Sequence, residues 1–211
     1  MRLGVMGGTF DPIHLGHLVA AEEARCQFQL DRVVFVPSAR PPHKTGVRQS
    51  PAADRLEMVR IAVKGNPFLD SSDVELQREG LSYTIDTLRA MRETYGAGVK
   101  LFFITGADAI LEILTWKDPE ELLAESSFIA ATRPGFPLES LRQALPERTS
   151  KGADPLDNVY SMEIPALAIS STDIRERAAS GRPFRYMVPA GVWEYIEVKG
   201  LYMKGELSGD G

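Results

Sequence analysis

Hydrophobic and polar positions alternate along this chain with two different periods. Short apolar, β-branched runs bounded by turn residues predict buried strands, and apolar residues recurring every three or four positions predict helices. The strand pattern occurs at Leu3–Met6, Val33–Val36, Asp73–Leu76, Lys100–Thr105, Phe128–Thr132 and Val159–Ile164. The helical pattern occurs at Leu15–Phe28, Leu138–Leu145 and Pro189–Val198. Three further helices begin at predicted caps: one runs from Ser50 to Gly65, one from Ser82 or Thr84 to Gly96, and one from Ser171–Asp173 to Ala179. Short helices are predicted after Gly106 and after Asp118-Pro119.

Strands and helices alternate almost throughout, and this order is typical of an α/β protein. We expect a doubly wound, mainly parallel sheet with helices on both faces. Residues 1–204 would form one domain with a helical C-terminal part from about residue 170, and residues 205–211 a disordered tail. Sheets of this kind bind ligands at the carboxyl ends of their strands, near the point where the strand order reverses.

The composition limits the class of protein. Of 211 residues, 24 are Lys or Arg and 29 are Asp or Glu, so the net charge of −5 argues against nucleic-acid binding through overall charge. The first residues show no basic region followed by an apolar run, and the sequence has no apolar stretch of about eighteen residues, so we expect a soluble cytoplasmic protein without membrane contact. The single cysteine, Cys26, excludes an intramolecular disulfide, and its place in the first predicted helix predicts a packing role.

The most informative segment follows the first predicted strand and reads GGTFDPIHLGH, from Gly7 to His17. Glycines let a backbone approach a phosphate closely, and the first amides of a helix carry unpaired donors. His14 and His17 lie one turn apart on the same helical face, so both can point at a ligand held there. Gly16 costs about 1 kcal/mol of helix stability relative to alanine, which a close approach by substrate would explain. The segment predicts a nucleotide-phosphate site.

Other candidate residues lie in loops that follow other predicted strands. His43 and Lys44 follow the second strand, Gly106 and Asp108 follow KLFFIT, and Arg133 follows the next strand. Because the carboxyl ends of parallel strands share one edge of the sheet, we expect these residues to lie near the glycines and histidines. An acidic protein that handles phosphates must concentrate its cations locally, and we expect His43 and Lys44 to bind a polyphosphate there.

A second phosphate-binding candidate, ISSTDIR at Ile169–Arg175, opens the helix predicted near residue 171. The hydroxyls of Ser170, Ser171 and Thr172 can donate to phosphate oxygens, and Arg175 can bind two of these oxygens at once. Taken alone, the segment fits an ordinary helix cap followed by a solvent-facing arginine better than it fits a phosphate site. Together with the first motif, it favours phosphate binding.

Six motifs occur in a fixed order between Arg2 and about Gly200: GGTFDPIHLGH, PPHK, SYTIDTL, FFITGADAILEILTWKDPEEL, ATRPG and ISSTDIR. This set resembles the bacterial nicotinate-nucleotide adenylyltransferases, of the nucleotidyltransferase superfamily that carries the HxGH motif. The HxGH core specifies only the superfamily, whereas the ordered set is specific to the family. The resemblance implies a Rossmann-like nucleotidyltransferase fold. It also implies adenylyl transfer from ATP to nicotinate mononucleotide, giving deamido-NAD and pyrophosphate in NAD biosynthesis.

The implied reaction suggests a role for each catalytic candidate. The attacking phosphate of the mononucleotide is mostly dianionic at neutral pH, because its second pKa is about 6, and no general base is needed. His14 and His17 would donate hydrogen bonds during direct in-line attack, without a covalent enzyme intermediate. Lys44 and Arg175 would bind the β- and γ-phosphates. Mg²⁺ would be held mainly by the triphosphate and water, with no metal site built by the protein.

The pyridine end of the mononucleotide needs its own site. Thr84 lies at a predicted helix start, where amides can receive the nicotinate carboxylate, and the resemblance places a threonine here. Trp116 would stack on the cationic pyridinium ring, Asp108 would meet ribose hydroxyls, and Arg133 would contact a phosphate. The expected substrate-binding residues are therefore Gly7, Gly8, Thr9, Phe10, His43, Thr84, Gly106, Asp108, Trp116, Arg133, Ile169, Ser170, Ser171 and Thr172.

Other classes of protein share parts of this pattern. The same fold could transfer adenylyl to phosphopantetheine or cytidylyl to an alcohol phosphate, but those relatives would lack SYT, TWKD and ATRPG in this order. A class I aminoacyl-tRNA synthetase would need a tRNA-binding region and a KMSKS loop. A nucleotide sensor need not keep groups directed at a leaving pyrophosphate. The expected partners are the small molecules ATP and nicotinate mononucleotide, with no nucleic acid; association into a homo-oligomer is left open.

Overall fold

The computed structural model describes residues 1–41, 49–132, 154, 157–165 and 168–203. The strands are β1 (Arg2–Gly8), β2 (Arg32–Pro37), β3 (Leu69–Ser71), β4 (Lys100–Gly106), β5 (Ser127–Thr132) and β6 (Val159–Glu163). The helices are α1 (Leu15–Gln27), α2 (Ala52–Val63), α3 (Thr84–Tyr95), α4 (Ala107–Leu111), α5 (Pro119–Glu125), α6 (Ser171–Ala179) and α7 (Ala190–Lys199), with 3₁₀ turns at Ile113–Thr115 and Arg185–Met187.

The strands form one sheet in the order β3-β2-β1-β4-β5-β6. Every strand pair among the described residues is parallel. The order reverses between β1 and β4, where Met6 lies opposite Ile104 in the register. The predicted doubly wound α/β fold is therefore confirmed, and the end of the GGTFDP strand lies at the switch point where such sheets bind ligands.

Alternate residues of the central strands pack into two cores, one on each face of the sheet. In β2, Val33 and Phe35 join the core that α1, α2, α6 and α7 cover, whereas Val34 and Val36 join the core that α3, α4 and α5 cover. All four side chains are buried. A strand that is apolar on both faces needs a helix layer on each side. This is why the apolar residues of these strands are consecutive and do not alternate with polar ones.

The strand predicted at Asp73–Leu76 is wrong. The edge strand is β3, where Leu69 pairs with Val33, and the chain then turns, with the N–H of Leu76 bonded to the carbonyl of Asp73 at 2.8 Å. The apolar residues of this stretch suggested a strand, but the turn directs Glu75 inward, where its carboxylate accepts a hydrogen bond from the hydroxyl of Thr87. A tertiary hydrogen bond thus decides a conformation that the local pattern left ambiguous.

The structure also moves three helix caps. The N-cap of α2 is Pro51 and not Ser50, and the N-cap of α6 is Ser170, whose hydroxyl accepts the N–H of Asp173 at 3.1 Å. The N-cap of α3 is Tyr83, so neither predicted cap of that helix holds this position. Ser82 instead accepts hydrogen bonds from the N–H groups of the two residues 39 and 40 at 3.0 and 3.1 Å, which ties the start of α3 to the end of β2.

One further prediction has a definite outcome. Cys26 is exposed, so the packing role predicted from its helix is wrong; it lies two positions after the buried Ala24, which places it on the opposite side of α1. The predicted helix at Leu138–Leu145 and the predicted disordered tail lie outside the described residues. In the part of the chain that the structure describes, no helix is long and apolar enough to span a membrane.

Candidate active site

Two cavities open at the carboxyl ends of β1 and β4, and Gly7, Gly8 and Thr105 line both of them. The larger, about 610 Å³, is lined by His14 and His17 and is called the histidine cavity below. The smaller, about 400 Å³, contains Trp116 and is called the tryptophan cavity. Their shared wall is the glycine pair, so ligands in the two cavities would meet there.

The cavities collect most of the residues predicted for the site. The histidine cavity is lined by the predicted residues Gly7, Gly8, Phe10, His14, His17, Gly106, Asp108 and Ile169. The tryptophan cavity is lined by the predicted residues Gly7, Gly8, Thr9, Thr84 and Trp116. His43, Lys44 and Arg133 lie outside the described residues. Ser170, Ser171, Thr172 and Arg175 follow Ile169 at the start of α6 but line neither cavity.

The two histidines stack at the N-terminus of α1, with 3.7 Å between ring centroids and 22° between planes. The backbone N–H of His14 donates to Nδ1 of His17 at 3.2 Å. A nitrogen that accepts a hydrogen bond carries no proton, so the neutral His17 ring holds its proton on Nε2. The backbone therefore selects the tautomer in which His17 can donate to a ligand.

Both histidines are neutral over the physiological pH range. Burial lowers the pKa of His14 to about 4. Burial also lowers the pKa of His17 well below its ordinary value, and the neighbouring His14 adds to this effect. A charge on the stacked His14 ring would repel a charge on His17, so His14 favours the uncharged form of His17. The site therefore offers neutral N–H donors and no imidazolium charge.

Glycines permit this arrangement for steric reasons. A Cβ on Gly16 would lie 3.1 Å from two atoms of the His14 ring, and a Cβ on Gly8 would lie 3.0 Å from the Phe10 ring. The prediction for Gly16 was a close approach by substrate. The structure shows that a catalytic candidate already fills that space, because the ring of His14 packs against the position where a side chain would begin.

The tryptophan cavity combines an aromatic wall with a helix N-terminus. Trp116 packs edge-on against Phe103 and Phe128, with centroid distances of 6.0 and 6.5 Å, which fixes its ring from behind. Thr84 is the first residue of α3, where backbone N–H groups have no partner within the helix. A carboxylate and an aromatic cation attached to each other would find complementary groups here.

Sequence reasoning missed three charged residues in the wall of this cavity, Glu75, Glu112 and Lys117. Glu75 is buried beneath the cavity by its bond to Thr87, and Lys117 forms an ion pair with Asp86 at 3.0 Å. Lys117 lies next to Trp116 in the TWKD motif, and this position could have indicated it as a site residue. No motif near Glu75 indicated a site residue, because the pattern of residues around it predicted a strand.

The ISSTDIR segment contacts the FDP turn directly. The hydroxyl of Ser171 donates to the carbonyl of Pro12 at 2.9 Å, and Nη1 of Arg175 donates to the carbonyl of Asp11 at 2.7 Å. Nη2 of Arg175 also lies 3.3 Å from the hydroxyl of Thr172. The two motifs that resembled phosphate binders are therefore adjacent in space although they are more than 150 positions apart.

Comparison with known proteins places these features in a family. The model of the cytidylyltransferase-like family matches residues 5–177, which include both motifs. The chain therefore belongs to this family of nucleotidyltransferases.

More specific relatives cover nearly the whole chain. A protein of Moorella thermoacetica, named a probable nicotinate-nucleotide adenylyltransferase, is 53% identical over 201 residues, or 95% of this chain and 91% of that protein. Proteins of the same name from Desulfitobacterium hafniense strain Y51 and Thermoanaerobacter sp. strain X514 are 51% and 50% identical, covering 95% and 99% of this chain and 95% and 98% of their own lengths. Within the wider family, the chain belongs with the nicotinate-nucleotide adenylyltransferases. The family and enzyme class predicted from the motifs are thereby confirmed.

Solved structures agree on the fold. The Plasmodium falciparum nicotinic acid mononucleotide adenylyltransferase complexed with NaAD has a TM-score of 0.75 at 22% identity, covering 95% of this chain and 97% of that one. The same enzyme complexed with APC has a TM-score of 0.73 at 21% identity, covering 95% and 96% of the two chains. At this low identity the likeness concerns the fold, and it confirms the predicted Rossmann-like nucleotidyltransferase arrangement.

Proposed function

We propose that this protein transfers the adenylyl group of ATP to nicotinate mononucleotide by direct in-line attack, releasing pyrophosphate and forming deamido-NAD. The observation that carries the proposal is the pair of cavities that share the Gly7-Gly8 wall. The product joins two nucleotides through their phosphates, and two adjoining cavities suit its two halves. The names of the relatives at about half identity state the same activity.

The triphosphate of ATP fits the histidine cavity. Charge develops there on the oxygens of the α-phosphorus and the leaving pyrophosphate, and fixed N–H donors stabilise it best when they need no reorganisation. His17 Nε2–H is such a donor, because the His14 backbone fixes its tautomer. Asp108, in the same cavity, is suited to accept hydrogen bonds from ribose hydroxyls.

The reaction needs neither a nucleophile nor a general base from the protein. The mononucleotide phosphate supplies an ionised oxygen, which forms a bond to the α-phosphorus as the bond to the pyrophosphate oxygen breaks. Neutral histidines with lowered pKa values agree with a donor role and not with proton transfer. What the protein must supply is alignment of two anions that repel each other.

The pyridine ring of the mononucleotide fits the tryptophan cavity. Backbone amides at the start of α3, beside Thr84, can receive the nicotinate carboxylate, and Trp116 can stack on the pyridinium cation. A nicotinamide has no negative charge for these amides. We therefore propose a preference for nicotinate mononucleotide over nicotinamide mononucleotide.

The remaining phosphate contacts come from the motifs at either end of the site. Arg175 and the hydroxyls that precede it would reach the β- and γ-phosphates from α6. One nitrogen of Arg175, Nη1, donates to the carbonyl of Asp11 and thereby orients the guanidinium. We keep Lys44 as a second phosphate ligand, with His43 and Arg133 as further phosphate contacts. Gly106, at the end of β4, would let the nucleotide approach the backbone.

Magnesium would enter with ATP. The described residues contain no group of three or more His, Cys, Asp or Glu side chains that could hold a metal ion. Mg²⁺ prefers oxygen ligands and retains several waters, so the triphosphate and water suit it better than the residues of either cavity. When bound, it would partly neutralise the triphosphate.

A single assay tests this function. The protein is incubated with ATP, Mg²⁺ and either nicotinate or nicotinamide mononucleotide, and pyrophosphate release is measured. Release that is much faster with the nicotinate form is expected. No release with either mononucleotide would overturn the proposed function, and equal rates would overturn the carboxylate site at Thr84.

A further inference from the structure

The turn that joins β1 to α1, Thr9–Pro12, connects the glycine pair to the histidines and is called the motif turn below. Within it, Phe10 has a backbone φ of +49°, a left-handed conformation that residues with side chains rarely adopt. The Phe10 ring lies edge-on to His17, with 5.1 Å between ring centroids. A shift of the motif turn would therefore displace a ring that contacts a catalytic histidine.

Asp11 anchors the motif turn inside the protein, with only 4% of its surface exposed. Its Oδ1 accepts a hydrogen bond from the hydroxyl of Tyr202 at 2.6 Å, and its Oδ2 accepts the N–H of Ser50 at 3.3 Å. A buried carboxylate is costly unless its oxygens are bonded. The position of Asp11 therefore depends on groups outside the motif.

Tyr202 reaches this site from the far end of the chain, 191 positions away. It follows α7, is 7% exposed and has a φ of +67°, so it too holds a left-handed backbone. Burial and the adjacent Asp11 raise the pKa of the Tyr202 phenol, which keeps it a donor at physiological pH. Unfavourable backbone conformations persist only where the surrounding contacts enforce them, and here they occur at Tyr202 and beside Asp11.

Arg55 of α2 holds the other part of the motif turn. Its side chain is 1% exposed, and Nη1 donates to the carbonyl of Thr9 at 2.7 Å while Nε donates to the carbonyl of Ser50 at 3.0 Å. Its charge lies close enough to Asp11 for mutual attraction. The motif turn is thus fixed by buried side chains from α2 and from the segment after α7, neither of which lines the histidine cavity.

We infer that Tyr202 is a positioning residue for adenylyl transfer. Its hydroxyl fixes Asp11, Asp11 fixes the motif turn, and the motif turn sets Phe10 against His17. The inference rests on the donor role proposed for His17. A donor displaced by a fraction of an ångström loses transition-state stabilisation more than it loses substrate binding, so the effect belongs in kcat and not in KM.

The chain offers a matched control for a test. Tyr195, on α7, donates its hydroxyl to Oδ1 of Asp54 at 2.7 Å, a bond of nearly the same length that does not involve the motif turn. Tyr202→Phe and Tyr195→Phe each delete one oxygen and one Tyr–Asp hydrogen bond. Both variants are assayed well below their measured melting temperatures, so that only folded protein is compared.

For Y202F we expect kcat to fall about tenfold with KM for both substrates within about twofold, since a misplaced donor costs transition-state binding. For Y195F we expect kcat as in the wild type. The imidazole ¹⁵N resonances of His17 should shift in Y202F and not in Y195F. If Y202F does not fold, Asp11→Asn takes its place, and the same split between kcat and KM is expected because the neutral amide weakens the hydrogen bond from Tyr202 and loses the attraction to Arg55.

The outcomes separate this inference from the proposed function. A wild-type protein that releases no pyrophosphate overturns the function. An active wild type with an unchanged kcat in Y202F, or with equal losses in both tyrosine variants, overturns only the positioning role. Unshifted His17 resonances in a Y202F protein of low kcat would also overturn the positioning role, since the loss of activity would then not arise from a displaced histidine.

Discussion

The backbone N–H of His14 donates to Nδ1 of His17, and this one hydrogen bond fixes Nε2 as the ring nitrogen of His17 that carries the proton. The two rings stack 3.7 Å apart, and neither is charged at neutral pH. The spacing of the HxGH motif therefore does more than place two histidines on one helical face. It uses the backbone of the first histidine to orient the second.

Substitutions of His17 should separate the donor role from other roles. His17→Ala is expected to lower kcat by about 10²- to 10³-fold, as the loss of a fixed transition-state donor does elsewhere, in a protein that still folds. His17→Gln places an amide N–H near the former Nε2 and should retain more activity than His17→Asn, whose amide lies nearer the former Nδ1. Steady-state kinetics with thermal melts check this. Equal losses in the two amide variants would contradict the tautomer assignment.

The lowered pKa of His14 predicts a pH-dependent stability. The unfolded chain binds a proton at His14 near the ordinary pKa of 6.5, whereas the folded protein binds it only near 4. Stability is therefore complete above pH 6.5 and falls as the pH falls toward 4, by about 2 kcal/mol between pH 7 and pH 5. Urea unfolding of the wild type and of His14→Gln at both pH values measures the difference. A wild-type loss no larger than that of the variant would refute the prediction.

Trp116 should affect the mononucleotide and not ATP. Trp116→Leu removes the aromatic face from the tryptophan cavity, and a lost cation–π contact of about 1 kcal/mol raises KM for nicotinate mononucleotide roughly fivefold or more. Trp193→Leu is the matched control, because Trp193 packs against the opposite core and beneath Arg185. Initial rates at varied concentrations of each substrate check this. A rise in KM for ATP alone would show that the assignment of the two cavities is reversed.

Gly16→Ala should trade activity for helix stability. Alanine favours the helix by about 1 kcal/mol, but its Cβ would lie 3.1 Å from the His14 ring, which must then shift by a few tenths of an ångström. We expect a melting temperature at or above that of the wild type and a clearly lower kcat. Gly98→Ala is the control, since nothing lies within 4 Å of a Cβ there. Full activity in the Gly16 variant would mean that the position of His14 is not critical.

Local patterns predicted most of the fold and many of the residues that line the two cavities. Strands such as β4 and helices such as α3 are visible because their periods are written in consecutive residues, and GGTFDP after a strand indicates phosphate binding because glycines and helix amides act locally. The wrong predictions occur where a residue that is distant in the sequence determines the local conformation. The segment around Glu75, predicted as a strand, forms a turn in which the carboxylate accepts a hydrogen bond from Thr87. Ser82, predicted as a cap of α3, instead accepts a hydrogen bond from the backbone just after β2.

The sequence by itself determined the family, and it supplied the candidate site residues: the glycine pair, the two histidines, Thr84 and Trp116. Only the tertiary structure decided that Asp11 is buried against Tyr202, that Arg55 holds the carbonyl of Thr9, and that the two cavities share one wall. The reason is physical. A period or a motif is a property of neighbouring residues, whereas a contact across 191 positions depends on how the whole chain packs.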